Sequence, residues 1–318
     1  MAFFQIKKIQ SFTVFIIALA FILWIFQDNF LKLSGLQKVN PQLSSINEEA
    51  KENSYLEKID NFLLKEYSKE QVLLHTIQAE TYYSYKNLPV KILEVEVKTF
   101  NQTQEEGLVL RSNRAEILKS GEMFFNGEVN IQANSGVMHK LDTESLIVLT
   151  DSGLIKSNKE VTYLGETARI ISESMEMNIE SDTMYLNGNV KILEDSGVTI
   201  NTKNLYVSHN NGEKKYKSKE ATIYRSINNI INSDKGIDID MNFKLMKLLG
   251  EVEVLTRAGA VINSYNVEID QSNDNEVLKS NSPSHFKSDT VDIRAKKMHY
   301  DAVTNKLELM NKVLAVYE

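Results

Sequence analysis

Five histidines, one alternating pair of aspartates and one lysine cluster are the side chains whose type and spacing could do chemistry. The histidines are His75, His139, His209, His285 and His299. No two are four residues apart and no H-E-x-x-H occurs, so the helical metalloprotease arrangement is absent. They read as strand or surface histidines. Asp238 and Asp240 alternate with Ile237 and Ile239. Paired carboxylates can share acid–base work, but acids alternating with apolar residues are the ordinary solvated face of a strand. Lys214, Lys215, Lys217 and Lys219 stand beside Asn210-Asn211-Gly212. Such a cluster could meet phosphates, and more often it is a solvated turn.

Composition removes further classes. There is no cysteine, so disulfides, zinc–thiolate sites and a cysteine nucleophile are excluded. No G-x-x-x-x-G-K-[ST] loop occurs, which argues against a nucleotide site. The 36 basic and 43 acidic residues leave a net charge of −7, without a strongly basic nucleic-acid footprint. No catalytic residue, metal site or cofactor is expected, and the chain does not read as an enzyme.

The elements that remain are strands. From Val72 onward the pattern has period two, as in Val95-Glu96-Val97-Lys98, Val129-Asn130-Ile131 and Val252-Glu253-Val254. That alternation marks strands with one buried face. Runs of Asn, Asp, Ser and Gly separate them, and only Pro41, Pro89 and Pro283 could interrupt an extended segment. The apolar fraction of 42% across 318 residues allows a sizeable core.

The strands repeat. Phe124-Phe125-Asn126-Gly127-Glu128-Val129-Asn130-Ile131 is followed by Tyr185-Leu186-Asn187-Gly188-Asn189-Val190-Lys191-Ile192 and by Leu248-Leu249-Gly250-Glu251-Val252-Glu253-Val254. The glycines are 61 and 62 residues apart, and Asn311 stands 61 beyond the third in a degenerate fourth copy, Leu309–Val316. Other markers keep the same register. They include SG at 135–136 and 196–197, AG at 258–259, and the segments SNKEVTY (157–163), KSKEATIY (217–224) and KSNSPSHF (279–286). Repeats of this length bury themselves by stacking on their neighbours. Gly127, Gly188 and Gly250 should occupy a tight turn, a bulge or a close backbone approach. By parity Phe125, Val129 and Ile131, then Leu186, Val190 and Ile192, then Leu248, Val252 and Val254, form one continuous apolar stripe. It is either a closed core or an open groove.

The N-terminal part differs. Residues 12–26 read FTVFIIALAFILWIF, with Lys7 and Lys8 before the run and Gln27 and Asp28 after it. Extended back through Ile6, the run has about 20 residues, enough to cross a bilayer core. No small-residue cleavage site follows, so an uncleaved anchor is expected rather than a signal peptide. Its charge bias places residues 1–10 in the cytoplasm and the bulk outside. Phe12, Ile16, Leu19, Leu23, Trp24 and Phe26 lie along the 11–27 span, with Trp24 near the outer interface. Residues 28–70 read as a linker, partly helical, because Ile46, Ala50, Leu56, Ile59 and Leu63 recur at roughly helical spacing.

The glycine motif, the strand unit and the N-terminal anchor together resemble the LptC family of lipopolysaccharide export. The repeat also resembles the soluble LptA, or OstA-like, proteins. LHTIQAETYYSYKNLPVKILEVEVKTF (74–100) is similar to the family's opening strands, and RSNRAEILKSGEMFFNGEVNIQ (111–132) to its strand leading into the glycine motif. The resemblance implies an all-β fold: a transmembrane helix, then an extended, twisted, open V-shaped β-jellyroll built from ~61-residue repeats. On this reading 71–195 is the LptC-like jellyroll, and 196–318 is either an LptA/OstA-like extension, separate or continuous with it, or the rest of a long LptC that builds more of the bridge itself.

The resemblance also implies a function. The chain would receive lipopolysaccharide from an inner-membrane ABC transporter built from LptB, LptF and LptG. It would pass the lipid across the periplasm, holding acyl chains in an apolar groove, with the nine stripe residues as its candidate lining. LptA or a similar jellyroll would join by edge-strand pairing. The extension leaves open whether a separate LptA is needed. Two other readings stand beside this one. A membrane-anchored structural or adhesive β-solenoid would have shorter coils and an exposed binding face. An enzyme on a β-scaffold would need a cluster of acids or histidines.

Overall fold

The computed structural model describes residues 55–68, 71–100, 105–133, 139–149, 152–165, 167–178, 181, 183–208, 214–272 and 276–317. The expected span at 11–27, with its six anchor residues, and the linker before residue 55 lie outside them. Among the described residues no helix is long and apolar enough to cross a membrane.

Twenty-three strands are assigned among the described residues. The first seven are β1 (Glu57–Tyr67), β2 (Leu73–Ser84), β3 (Val90–Phe100), β4 (Glu106–Ile117), β5 (Glu122–Ala133), β6 (His139–Leu149) and β7 (Leu154–Ser157). β8 (Val161–Leu164), β9 (Ala168–Asn178), β10 (Thr183–Glu194), β11 (Thr199–Ser208), β12 (Lys215–Ser218), β13 (Thr222–Arg225), β14 (Asn229–Ser233) and β15 (Ile237–Asp240) follow. The last are β16 (Leu245–Thr256), β17 (Val261–Asp270), β18 (Val277–Ser280), β19 (Ser284–Lys287), β20 (Val291–Ala295), β21 (Lys297–Asp301), β22 (Lys306–Met310) and β23 (Leu314–Tyr317). They fall into two compact units. One runs through Val161 and takes residues 178–180; the other holds Thr162–Met177 and everything from Ser181.

In the first unit, consecutive strands from β1 to β7 pair antiparallel. β1 corrects the expectation of a helix around Leu56, Ile59 and Leu63. Ten of its residues pair with β2 from Glu57↔Ser84 to Tyr67↔Leu73. Phe62, Leu64 and Glu66 alternate inward, and Phe62 stacks on Tyr82 with ring centroids 5.0 Å apart. The helical spacing of Ile59 and Leu63 lost to this period-two face because a neighbouring strand satisfies the backbone along its whole length. Two columns of cross-strand neighbours build the core. One is Tyr82, Ile92, Ala115, Phe125 and Leu146; the other is Ile77, Val97, Leu110, Ile131 and Leu141.

The second unit repeats a layered plan. A twelve-residue strand (β10, then β16) and a ten-residue strand (β11, then β17) are followed by two layers that each break into two short strands. β12 and β13 share one layer, pairing with opposite ends of β11; β15 and β14 share the next, pairing with opposite ends of β16. β18 and β19, then β21 and β20, repeat the scheme after β17. β22 and β23 close the series against β21 and β20, one long strand divided at Asn311 and Lys312, both at positive φ.

The repeat glycines mark the middle of the long strands. Gly127, Gly188 and Gly250 have φ of 78°, 77° and 80°, and each sits at a break in register. A Cβ on Gly250 would collide with Asp234 and stand 2.8 Å from Lys235 Cβ, so the adjoining layer leaves no room there. Gly259 is at a similar φ of 84° but faces open space. Gly259→Ala should therefore cost about 1 kcal/mol, the strain of a left-handed residue alone. Gly250→Ala should cost about 2–4 kcal/mol, strain plus crowding. Urea midpoints of the detergent-solubilised chain compare the two; equal losses would show that the bend tolerates a side chain.

Candidate lipid-binding interior

In the second unit the interior consists of three columns running across the layers. On one half of the strands, Ile192, Ile200, Tyr224, Ile231, Val254 and Ile262 are successive cross-strand neighbours. On the other half, Met184, Val207, Tyr216, Ile239, Met246, Ile269, Leu278 and Tyr300 succeed one another in the same way. All fourteen are buried. Between the two apolar columns, at the level of the glycines, runs a column of small hydroxyls. Thr202 Oγ1 is 3.0 Å from Ser218 Oγ and 2.9 Å from Thr222 Oγ1, and Ser264 Oγ is 2.9 Å from Ser284 Oγ. These hydroxyls donate to main-chain carbonyls at the bend: Ser218 to Lys203 at 2.6 Å, Ser233 to Gly236 at 2.8 Å, Ser280 to Tyr265 at 2.9 Å.

Eight of the nine candidate groove residues are buried: Phe125, Val129, Leu186, Val190, Ile192, Leu248, Val252 and Val254. Ile131 is half-buried. The bulge at each glycine divides them, so that in the second unit Leu186 and Leu248 lie with the Met184–Met246 half, while Val190, Ile192, Val252 and Val254 lie with the Ile192–Val254 half. Burial keeps the expected parity through Gly188 and Gly250, while the bulge shifts the pairing with β11 and β17. The glycine motif did not reach the second column, whose members come from long strands (Met184, Val207, Met246, Ile269) and short ones (Tyr216, Ile239, Leu278, Tyr300) in turn. The hydroxyls did have a signal: Ser157, Ser218 and Ser280 are the serines of the three segments that kept register with the glycines.

Past the ends of the two halves lies a polar cluster. The Glu276 carboxylate, 7% exposed, accepts from Tyr224 Oη at 3.2 Å, Ser226 Oγ at 2.9 Å, Asn228 Nδ2 at 3.0 Å and Asn229 Nδ2 at 3.2 Å. Gln271 Nε2 donates to Tyr224 Oη at 3.2 Å. Burial, then the nearby Glu276, pushes the Tyr224 phenol well above its ordinary range, and burial raises the Glu194 carboxyl. No motif marked this cluster; Glu276 reads as part of a solvated Asn/Asp turn.

The remaining chemistry-bearing residues take structural places. Asp238 pairs with Lys217 at 2.9 Å, and Asp240 accepts from the Asn242 amide at 3.1 Å, so the two acids share no reacting centre. The lysine cluster runs along β12 and the turn after it, with Lys219 exposed and Lys214 and Lys215 half-buried. His285 Nε2 lies 2.8 Å from Asp292 Oδ1, on the partly exposed last layers. His299 is half-buried on β21; His209 lies outside the described residues. No group of three potential metal-binding side chains is present among the described residues.

With this interior in view, a family comparison decides the assignment. The profile described as "Lipopolysaccharide-assembly, LptC-related" matches residues 15–195 and again 230–318. The chain belongs to the LptC family. That family is a non-enzymatic component of lipopolysaccharide transport, anchored in the inner membrane with its bulk in the periplasm. The same profile matches the C-terminal part, which is therefore LptC-related too. No curated protein matches the chain.

One buried group in the first unit carries a pH response. His75 on β2 is 1% exposed, and Glu66 Oε2 on the edge strand β1 stands 2.7 Å from its Nε2 without completing a hydrogen bond. Burial lowers the His75 pKa from the ordinary 6.5 to about 4 and raises that of Glu66. Between those two values the unfolded histidine takes up a proton that the folded one refuses. The stability His75 allows is therefore complete above about pH 6.5 and lost as pH falls through about 4. Hydrogen exchange of the β1–β2 amides, corrected for intrinsic rates, should speed up over that window. His75→Leu should flatten the change; an unaltered profile would show that another group governs it.

Proposed function

We propose that this LptC-family chain is a membrane-anchored carrier that takes lipopolysaccharide from the LptB–LptF–LptG transporter and passes it across the periplasm. Its acyl chains would occupy the space between the two apolar columns. The observation that carries this reading is the continuity of those columns from layer to layer, with aliphatic residues and tyrosine in both and methionine in one. Each CH₂ brought out of water gains roughly 0.8 kcal/mol wherever along the row it sits. A row of similar sites lets the lipid advance without a single trapping site. The apolar run at 12–26 serves as the anchor, single-pass, with the N-terminus in the cytoplasm.

The first and last of the described strands suit hand-over. β1 is paired with β2 alone among the described residues, and β22 and β23 are paired on one side only. Val313, Leu314, Val316 and Tyr317 are more than half exposed. An edge of this kind accepts a further strand, here from LptA or a similar jellyroll, and risks aggregation when empty. Functionally we divide the chain at residue 195, with 71–195 meeting the transporter and 196–318 acting as the extension.

One observation favours a second reading: the candidate groove residues are nearly inaccessible, as in a closed structural core. Photo-crosslinking in whole cells separates the two. A photoreactive residue at Val190, which points inward, should form a lipopolysaccharide adduct that increases with ATP. At Asn189, which is exposed, it should form none. No adduct at Val190 in a folded, membrane-localised chain would favour the structural β-solenoid.

A further inference from the structure

The Glu276 cluster joins parts of the second unit that a flat sheet would hold far apart. Ser226 and Asn228 belong to the turn between β13 and β14, and Asn229 opens β14. β14 pairs with the C-terminal half of β16, and that half pairs with the start of β17. Glu276 instead follows the far end of β17, just before β18. A straight ten-residue strand spans roughly 33 Å. Hydrogen bonds of 2.9–3.2 Å across that span require the layers to fold back at the glycine and hydroxyl line, bringing the tips of the two halves together. The cluster thus bridges the mouth between the halves, on the side away from the bend.

We propose that Glu276 is a latch across the lateral mouth of the second unit, which must release for an acyl chain to enter or leave the interior sideways. This rests on the carrier reading above.

Three features suit a releasable contact better than a permanent seam. First, all four donors to the carboxylate come from one short segment, residues 224–229, so a single separation frees them together. Second, those donors are uncharged. A carboxylate held in a buried site without a cation gives up much of its hydration, and opening the mouth restores it. Third, Asn229 Oδ1 is buried with no hydrogen-bond partner; water reaching it on opening would satisfy it. An apolar seam would have the opposite property, since opening would expose it to water. The main chain of Glu276 is held separately: its carbonyl accepts from the Ala302 amide at 3.0 Å, so its strand stays in place when the side chain lets go.

The latch belongs to one layer. The repeat places Tyr163 opposite Tyr224 and Lys214 opposite Glu276, so the preceding repeat has the tyrosine without the carboxylate. The interior can then be gated at one level while the levels before it are governed otherwise.

Because the chain contains no cysteine, the test is direct. In the full chain, in native membranes with its transporter, Ser226→Cys and Glu276→Cys are joined by a short reducible bis-methanethiosulfonate linker. A photoreactive residue at Ile262, fully buried in the apolar column, reports lipopolysaccharide. The pair should link efficiently; the ATP-dependent adduct should fall at least tenfold when linked and return on reduction. Equal adducts in linked and reduced samples would overturn the latch while leaving the carrier intact, as would failure of the pair to link in a folded chain. Absence of adduct at Ile262 even with Ser226 and Glu276 unaltered would overturn the carrier reading, and the latch with it. As a milder variant, Glu276→Gln keeps one acceptor and loses the charge. It should raise the adduct measured without ATP several-fold, and an unchanged or lower yield would count against the latch.

Discussion

Where a strand folds back in its middle, main-chain groups lose their ladder partners, and each one left unpaired in the interior costs about 1–3 kcal/mol. The second unit meets this problem in every layer. It answers it in three ways: with glycine at positive φ in the twelve-residue strands, with serine or threonine at the breaks near Ser218, Ser233 and Ser280, and with Asn311 and Lys312 at positive φ in the last layer. Ser218, Ser233 and Ser280 are each buried and each donate to a bend carbonyl. A larger polar side chain would not fit the corner, and an apolar one would leave the carbonyl unpaired. The bend is thus written into small residues, and the two apolar columns face each other because of it.

The columns have a further consequence for what can bind. A hydroxyl row at the corner is fully occupied with its own backbone, so it offers a ligand little. The apolar walls offer only area. On the proposed carrier reading such an interior would discriminate by length and width of an alkyl chain rather than by group chemistry, which fits a conduit better than a receptor. Selectivity must then come from the ends and from the mouth, where charged and polar groups stand.

Much of the first-order plan was legible in the residues. Strand periodicity, the 61-residue repeat and the special status of Gly127, Gly188 and Gly250 all have local causes: alternation, spacing and backbone freedom. What was not legible depends on partners distant in sequence. Ile59 and Leu63 carry a spacing compatible with a helix, and only β2 decides otherwise. Ile239 and Leu278 sit in four-residue strands, where alternation shows a face but not its neighbour, yet they complete a column with Met246 and Ile269. Glu276 follows the sequence run Asn273-Asp274-Asn275, and its burial depends on a turn some fifty residues earlier in the chain. In each case the missing information is which layer lies next to which.

The repeat also sets a length scale. From β10 to the β22/β23 layer, the second unit contains nine successive layers. At about 4.8 Å between neighbouring strands, eight spacings make roughly 38 Å of interior. Each 61-residue repeat contributes four layers, or about 19 Å. Reach therefore grows by duplication within one chain, without an additional protein–protein joint for each increment. A joint is a place where a carried alkyl chain meets water and where an exposed edge can pair wrongly. Covalent repeats remove that hazard along their own length and concentrate it at the last edge, where β22 and β23 leave apolar residues exposed. On the proposed carrier reading, the physical demand on a partner would fall on the exposed side of β22 and β23, with the interior behind it built from the same residue types as the layers before.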